Sequence, residues 1–112
     1  PTAIFGSNDE IAAGVLAAAK SVGLNVPYDL SIAGFEDSPF SKQSWPPLTT
    51  AKQATQDIAK QAARLLIAGL RQDAYDDHPT AVHNQGFVPQ LVVRGSTAPV
   101  RPRADRPEPP TP

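Results

Sequence analysis

Short apolar runs, each too brief for a helix, alternate along this chain with one-faced helical segments, and no other property restricts the fold as much. "TAIFG" (2–6) is a β-leaning run. "SNDE" then supplies a helix start, with Ser7 three residues before Glu10 in capping-box spacing. From there Ile11, Val15, Ala18, Ala19 and Val22 recur on one helical face, and Gly23 stands where a C′ residue belongs. "NVPYD" breaks the chain, and "LSIAGF" (30–35) reads as a second buried strand. A loop carrying Glu36, Asp37, Phe40, Trp45 and Pro46-Pro47 leads to a brief extended segment, "LTTAKQ" (48–53). Residues 54–70 read as a second helix with Ile58, Ala62, Leu65 and Leu66 inward and Gly69 near its end. A polar loop (71–84) precedes a last strand within 86–97, interrupted at Pro89, whose ring removes a ladder donor. Strand, helix, strand, loop, strand, helix, strand is the order of an α/β fold. Its sheet is expected to be largely parallel, flanked by helices and joined by right-handed crossovers.

The totals narrow the function classes. At 112 residues the chain has the length of one domain, and its formal net charge of −1 lacks the basic excess that nucleic-acid backbones require. Without cysteine there is no disulfide framework and no thiolate zinc site. No apolar run approaches the ~20 residues of a membrane span, and no charged-then-apolar leader opens the chain. The start "PTAIFG", without methionine and already apolar, suggests a piece of a longer protein. Of the 13 prolines six lie beyond residue 98, where "PVRPRADRPEPPTP" carries almost no apolar side chain, so residues 99–112 are expected to be a disordered Pro/Arg-rich tail.

Ligands of open α/β sheets bind at the carboxyl ends of the strands. The residues just past the first three strands are Ser7, Asn8 and Asp9, then Glu36 and Asp37, then Lys52 and Gln53, all expected on one edge. Two amides and a carboxylate can donate to and accept from neighbouring hydroxyls, which suits a neutral polyol such as a sugar; the acids would repel a phosphate. Phe5, Phe35, Phe40 and Trp45 are available as apolar faces. Plainer roles exist for each residue: Asn8 and Asp9 favour a helix start whatever the function, and Glu36-Asp37 before Ser-Pro initiates a turn. The competing chemistry is an acid cluster of Asp9, Glu36 and Asp37 holding Mg²⁺ for phosphotransfer or hydrolysis, with Thr49, Thr50 and Lys52 as nominal helpers. His78 and His83 have neither metal-ligand spacing nor a serine nucleophile motif beside them, and "GSNDE" is not a phosphate-binding loop. No cofactor is expected.

"PTAIFGSNDEIAAGVLAAAKSVGLNVPYDLSIAGFEDSPF", "PPLTTAKQ" and "FVPQLVVRGST", in this order and spacing, resemble the C-terminal subdomain of the LacI/GalR family of bacterial transcriptional repressors. The resemblance covers residues 1–98. Periplasmic sugar-binding proteins share the fold, but "PPLTT" and "RGST" point to the repressors. The resemblance implies one lobe of a periplasmic-binding-protein-like clamshell with a sugar or other small metabolite in its cleft. It implies ligand contacts from Asn8, Glu36 and Gln53, the positions that the strand-end reading also selects. The family usually has Asp where this chain has Glu36, so the carboxylate here reaches one methylene further. It also implies a cytoplasmic, non-enzymatic homodimer, formed through the first helix surface (Ala12, Ala13, Ala17) and the loop bearing Phe40 and Trp45. Operator DNA would be reached only through an N-terminal headpiece absent from this sequence. Arg94 and Ser96 are expected to be structural.

Overall fold

The computed structural model describes residues 1–72 and 84–102. Seven elements form: β1 (Ala3–Phe5), α1 (Asp9–Ser21), β2 (Ser31–Phe35), α2 (Pro39–Gln43), β3 (Thr49–Lys52), α3 (Thr55–Gln72) and β4 (Gln90–Val92). The chain divides into two units, Pro1–Lys52 with Gln90–Pro112, and Gln53–Pro89.

In the first unit the sheet order is β1-β2-β3-β4. β1, β2 and β3 are parallel, with Phe5 opposite Ala33 and Phe35 opposite Ala51. β4 runs antiparallel to β3, Thr50 facing Val92. The sheet is thus mostly parallel, as expected. The last strand is much shorter than the expected segment: it begins directly after Pro89 and ends at Val92, and the backbone N–H of Arg94 donates to the Thr49 side-chain hydroxyl (2.9 Å) instead of to a backbone carbonyl of β3.

α1 starts one residue later than the capping-box spacing suggested. Asn8, not Ser7, is the N-cap, and its Oδ1 accepts from the Ile11 N–H at 2.8 Å. At the other end Gly23 is left-handed (φ +78°); its N–H reaches Lys20 O and the Leu24 N–H reaches Ala19 O, a Schellman closure. The buried face of α1 is rotated from the expected one. Ala12, Leu16 and Ala19 are buried, with Leu30, Ile32 and Leu48 beneath them, whereas Ile11 and Val22 are exposed. A Cβ on Gly6 would lie 2.7 Å from Ala12 N, so helix and strand approach closely there and only a small side chain fits at position 12. Ala12 therefore belongs to the core and not to an outer surface; Ala13 is half-buried and Ala17 exposed.

The stretch expected as a plain loop contains α2. Ser38 is its N-cap and Pro39 occupies the first turn, where a missing N–H is harmless. Phe40 and Trp45 stand exposed on either side of its end, Trp45 at 78%.

In the second unit α3 continues past Gly69 to Gln72. Ile58, Ala62 and Leu65 line one shallow groove with Phe87, while Leu66, expected inward, is exposed together with Ile67 and Leu70. His78, His83 and most of the polar loop, like residues 103–112 of the expected tail, lie outside the described residues.

Candidate functional site

β1 and β2 are adjacent and parallel, so the residues that follow them emerge at one edge. Asn8 is half-buried there, three residues past Phe5, and Glu36 is exposed immediately past Phe35. The cap bond occupies Asn8 Oδ1, and its amide nitrogen has no partner among the described residues. Gln53 is half-buried and opens the second unit, directly after β3.

The turn carrying Glu36 is unusual in its backbone. Glu36 has φ +111° and Asp37 φ +57°, two successive residues with side chains in a region that favours glycine. Such a turn persists only if its surroundings hold it, and three consecutive amides are held. The Glu36 N–H donates to Ala51 O at 2.8 Å. The Asp37 N–H donates to the Thr50 hydroxyl (3.3 Å), and the Ser38 N–H donates to Asp9 Oδ2 (2.7 Å). Thr50 in turn donates its hydroxyl proton to Asp9 Oδ1 at 2.6 Å. Asp9 is fully buried, and both its oxygens are engaged in this one structure.

Asp37 is clasped from the far side. Arg94 Nη2 pairs with Asp37 Oδ1, and Nη1 donates to the Ser41 hydroxyl (3.0 Å) and to Leu48 O (2.9 Å). Two residues on, the Ser96 hydroxyl donates to Ile32 O (2.6 Å) and accepts from the Thr49 N–H (2.8 Å), joining β2 to β3. Arg94 and Ser96 are structural, as expected.

The hydrogen bond and charge of Arg94 hold the Asp37 carboxyl below its ordinary value of 3.8, against the opposing effect of burial. Because the folded state prefers the ionised form, this contribution is complete above the unfolded value of 3.8 and disappears as pH falls below it through the lower folded value. Asp37→Asn should remove that component. Urea midpoints of wild type and variant measured at pH 7 and pH 3 should converge at the lower pH; an equal gap at both would contradict the assignment.

These partners give Asp9 and Asp37 separate structural roles in place of one acid cluster. Asp9 is enclosed by Thr50 and Ser38, Asp37 is bound to Arg94, and no three His, Cys, Asp or Glu side chains among the described residues could hold a metal ion. Only Glu36, of the three acids, faces outward. Thr50 and Thr49 serve as internal hydrogen-bonding groups.

A cavity of about 500 Å³ lies at the opposite, amino-terminal ends of β1 and β2, lined by Leu24, Tyr28, Leu30 and Val100 among others. Arg101 caps the Tyr28 ring 5.3 Å from its centroid. None of Asn8, Glu36 or Gln53 reaches it.

Comparison with known proteins bears on the family and the fold. Residues 1–97 match the periplasmic binding protein-like domain. The chain is 38% identical over 97 residues to the transcriptional regulator MalR of Streptomyces coelicolor. Over the same length it is 40% identical to the regulator GalS of Salmonella typhimurium and 37% to the repressor CytR of Escherichia coli. Each match takes in 87% of this chain but only 27% of the regulator, so the chain spans about a quarter of these relatives. Among solved structures, a LacI family regulator from Lactobacillus casei with bound sucrose is 31% identical (TM-score 0.68, 87% of this chain, 34% of that one). The lac repressor dimer bound to operator and the anti-inducer ONPF is 32% identical (TM-score 0.74, 87% and 32%), and a complex of the regulator CelR with cellobiose is 26% identical (TM-score 0.76, 85% and 28%).

Proposed function

Because the chain belongs to the LacI/GalR family of bacterial transcriptional regulators, we propose that it is the effector-binding and dimerising lobe of such a regulator, and not an enzyme. The observation that carries the reading is the exposed Glu36 side chain on a fully tethered turn, with Asn8 following the neighbouring strand at the same carboxyl edge of the sheet. A carboxylate accepts from two neighbouring sugar hydroxyls and an amide nitrogen donates to a third, a pairing that favours an uncharged polyol over an anion. Gln53 is proposed as a further contact on the family resemblance alone. The intact regulator would be a cytoplasmic homodimer, with exposed Phe40, Trp45 and Ala17 contributing to the interface and operator DNA bound through a separate headpiece. No helix among the described residues is long and apolar enough to cross a membrane.

The test is operator release by the full-length regulator, titrated with sucrose, cellobiose and glucose. Asn8→Asp keeps the cap acceptor and removes the donor, which separates ligand contact from helix stability. Glu36→Ala should raise the sugar concentration needed for release about 100-fold, equivalent to two lost hydrogen bonds of ~1–2 kcal/mol, and Asn8→Asp about ten-fold, equivalent to one. Operator affinity without sugar should not move. A normal response from both variants, or release driven by Mg²⁺ with phosphate and by no sugar, would overturn the reading.

A further inference from the structure

We propose that Asp9 is a positioning residue that sets the direction of the Glu36 side chain, although it touches no ligand itself. The inference rests on Glu36 being the effector contact. The Glu36 side chain is exposed, so the backbone sets the direction in which its Cα–Cβ bond leaves the turn. That backbone has φ +111° at Glu36 and +57° at Asp37, values that relax unless they are enforced. Of the three amides that enforce them, one is a sheet bond to Ala51 O. The other two end on Asp9. Oδ2 takes the Ser38 N–H directly, and Oδ1 orients the Thr50 hydroxyl so that its lone pair faces the Asp37 N–H. One buried carboxylate on the first turn of α1 therefore ties the turn to the helix whose N-cap, Asn8, is the neighbouring proposed contact.

Space around Asp9 is reserved by sequence. A Cβ on Gly34 would intrude on Asp9 Oδ1 and lie 3.1 Å from Asp9 Cα, so β2 makes room for this carboxylate at that position. Ordinary helix starts need no such enclosure; an acidic side chain in the first turn normally faces water.

Amide hydrogen exchange of the full-length regulator, without sugar, tests the proposal. Thr50→Val removes the hydroxyl at nearly constant volume, Thr50→Ser retains it, and Asp9→Asn places an amide donor or a poorer acceptor against Ser38 or Thr50. In Thr50→Val and Asp9→Asn, exchange at Asp37 and Ser38 should quicken about ten-fold while Leu16 and Ile32 stay protected; Thr50→Ser should restore the slow rate at Asp37. Faster exchange at all four positions would mean that Asp9 only supports global stability, and unchanged exchange would mean that it does not hold the turn; either overturns the proposal. Failure of Glu36 as the effector contact would instead appear as a normal sugar response in Glu36→Ala, with the exchange pattern intact.

Discussion

Replacing Arg94 by Ala is expected to destabilise the first unit by on the order of 3 kcal/mol, the range found when one partner of a buried ion pair is removed. The guanidinium joins Asp37, Ser41 and Leu48 O, and its side chain is 15% exposed while that of Asp37 is 7% exposed. Removing it leaves the Asp37 carboxylate without its cation, and the Ser41 hydroxyl and Leu48 carbonyl each lose a donor. Arg94→Lys should recover only part of the loss, because an ammonium lacks the planar fork that serves Asp37 and Leu48 together. Urea unfolding with an unchanged slope is the measurement. A loss below about 0.5 kcal/mol would place the pair with solvent-screened surface bridges.

Gly34→Ala is expected to be nearly as damaging, for a steric reason. The added Cβ would overlap Asp9 Oδ1 and stand 3.0 Å from Leu48 Cδ2 and 3.1 Å from Asp9 Cα. Either β2 and α1 separate, an overpacking cost of about 1–3 kcal/mol, or Asp9 releases Thr50 and leaves buried polar atoms unpaired at a cost of the same size, about 1–3 kcal/mol. Gly14 provides the control. It lies inside α1 with nothing within 4 Å of an added Cβ, so Gly14→Ala should stabilise by ~0.5–1 kcal/mol. Opposite signs for one substitution at two glycines are expected in thermal unfolding; a similar small gain at both would mean that Gly34 is not tightly packed.

Periodicity and punctuation make six of the seven elements readable from sequence, β1, α1, β2, β3, α3 and the short β4, because each carries an apolar pattern or a cap that acts locally. The errors have physical causes. Of the face expected inward on α1, Ile11, Val15, Ala18, Ala19 and Val22, Ala19 is buried and Val15 packs against the core, but close packing against Gly6 brings Ala12 inward and Ile11 and Val22 are exposed. A five-residue helix has too few turns to show a period, so only Ser38-Pro39 hinted at α2. A three-residue strand contains no signal of direction, and the antiparallel placement of β4 could not be read from "QLV". Within the candidate site, Asn8 and Glu36 were legible as strand-end residues. The jobs of Asp9 and Asp37 were not, since their partners Thr50 and Arg94 lie 41 and 57 residues away in sequence.

The tethered turn after β2 leaves one side chain outside the bonds that hold it. Its backbone is gripped from positions 9, 51 and 50, and Asp37 is locked from position 94, but none of these bonds uses the Glu36 side chain. On the proposed reading of Glu36 as the effector contact, an exchange at position 36, Asp for Glu or either for an amide, changes the ligand-facing group without breaking a bond that holds the turn. Most binding-site changes carry a folding penalty that must be offset elsewhere; at position 36 that penalty is expected to be small.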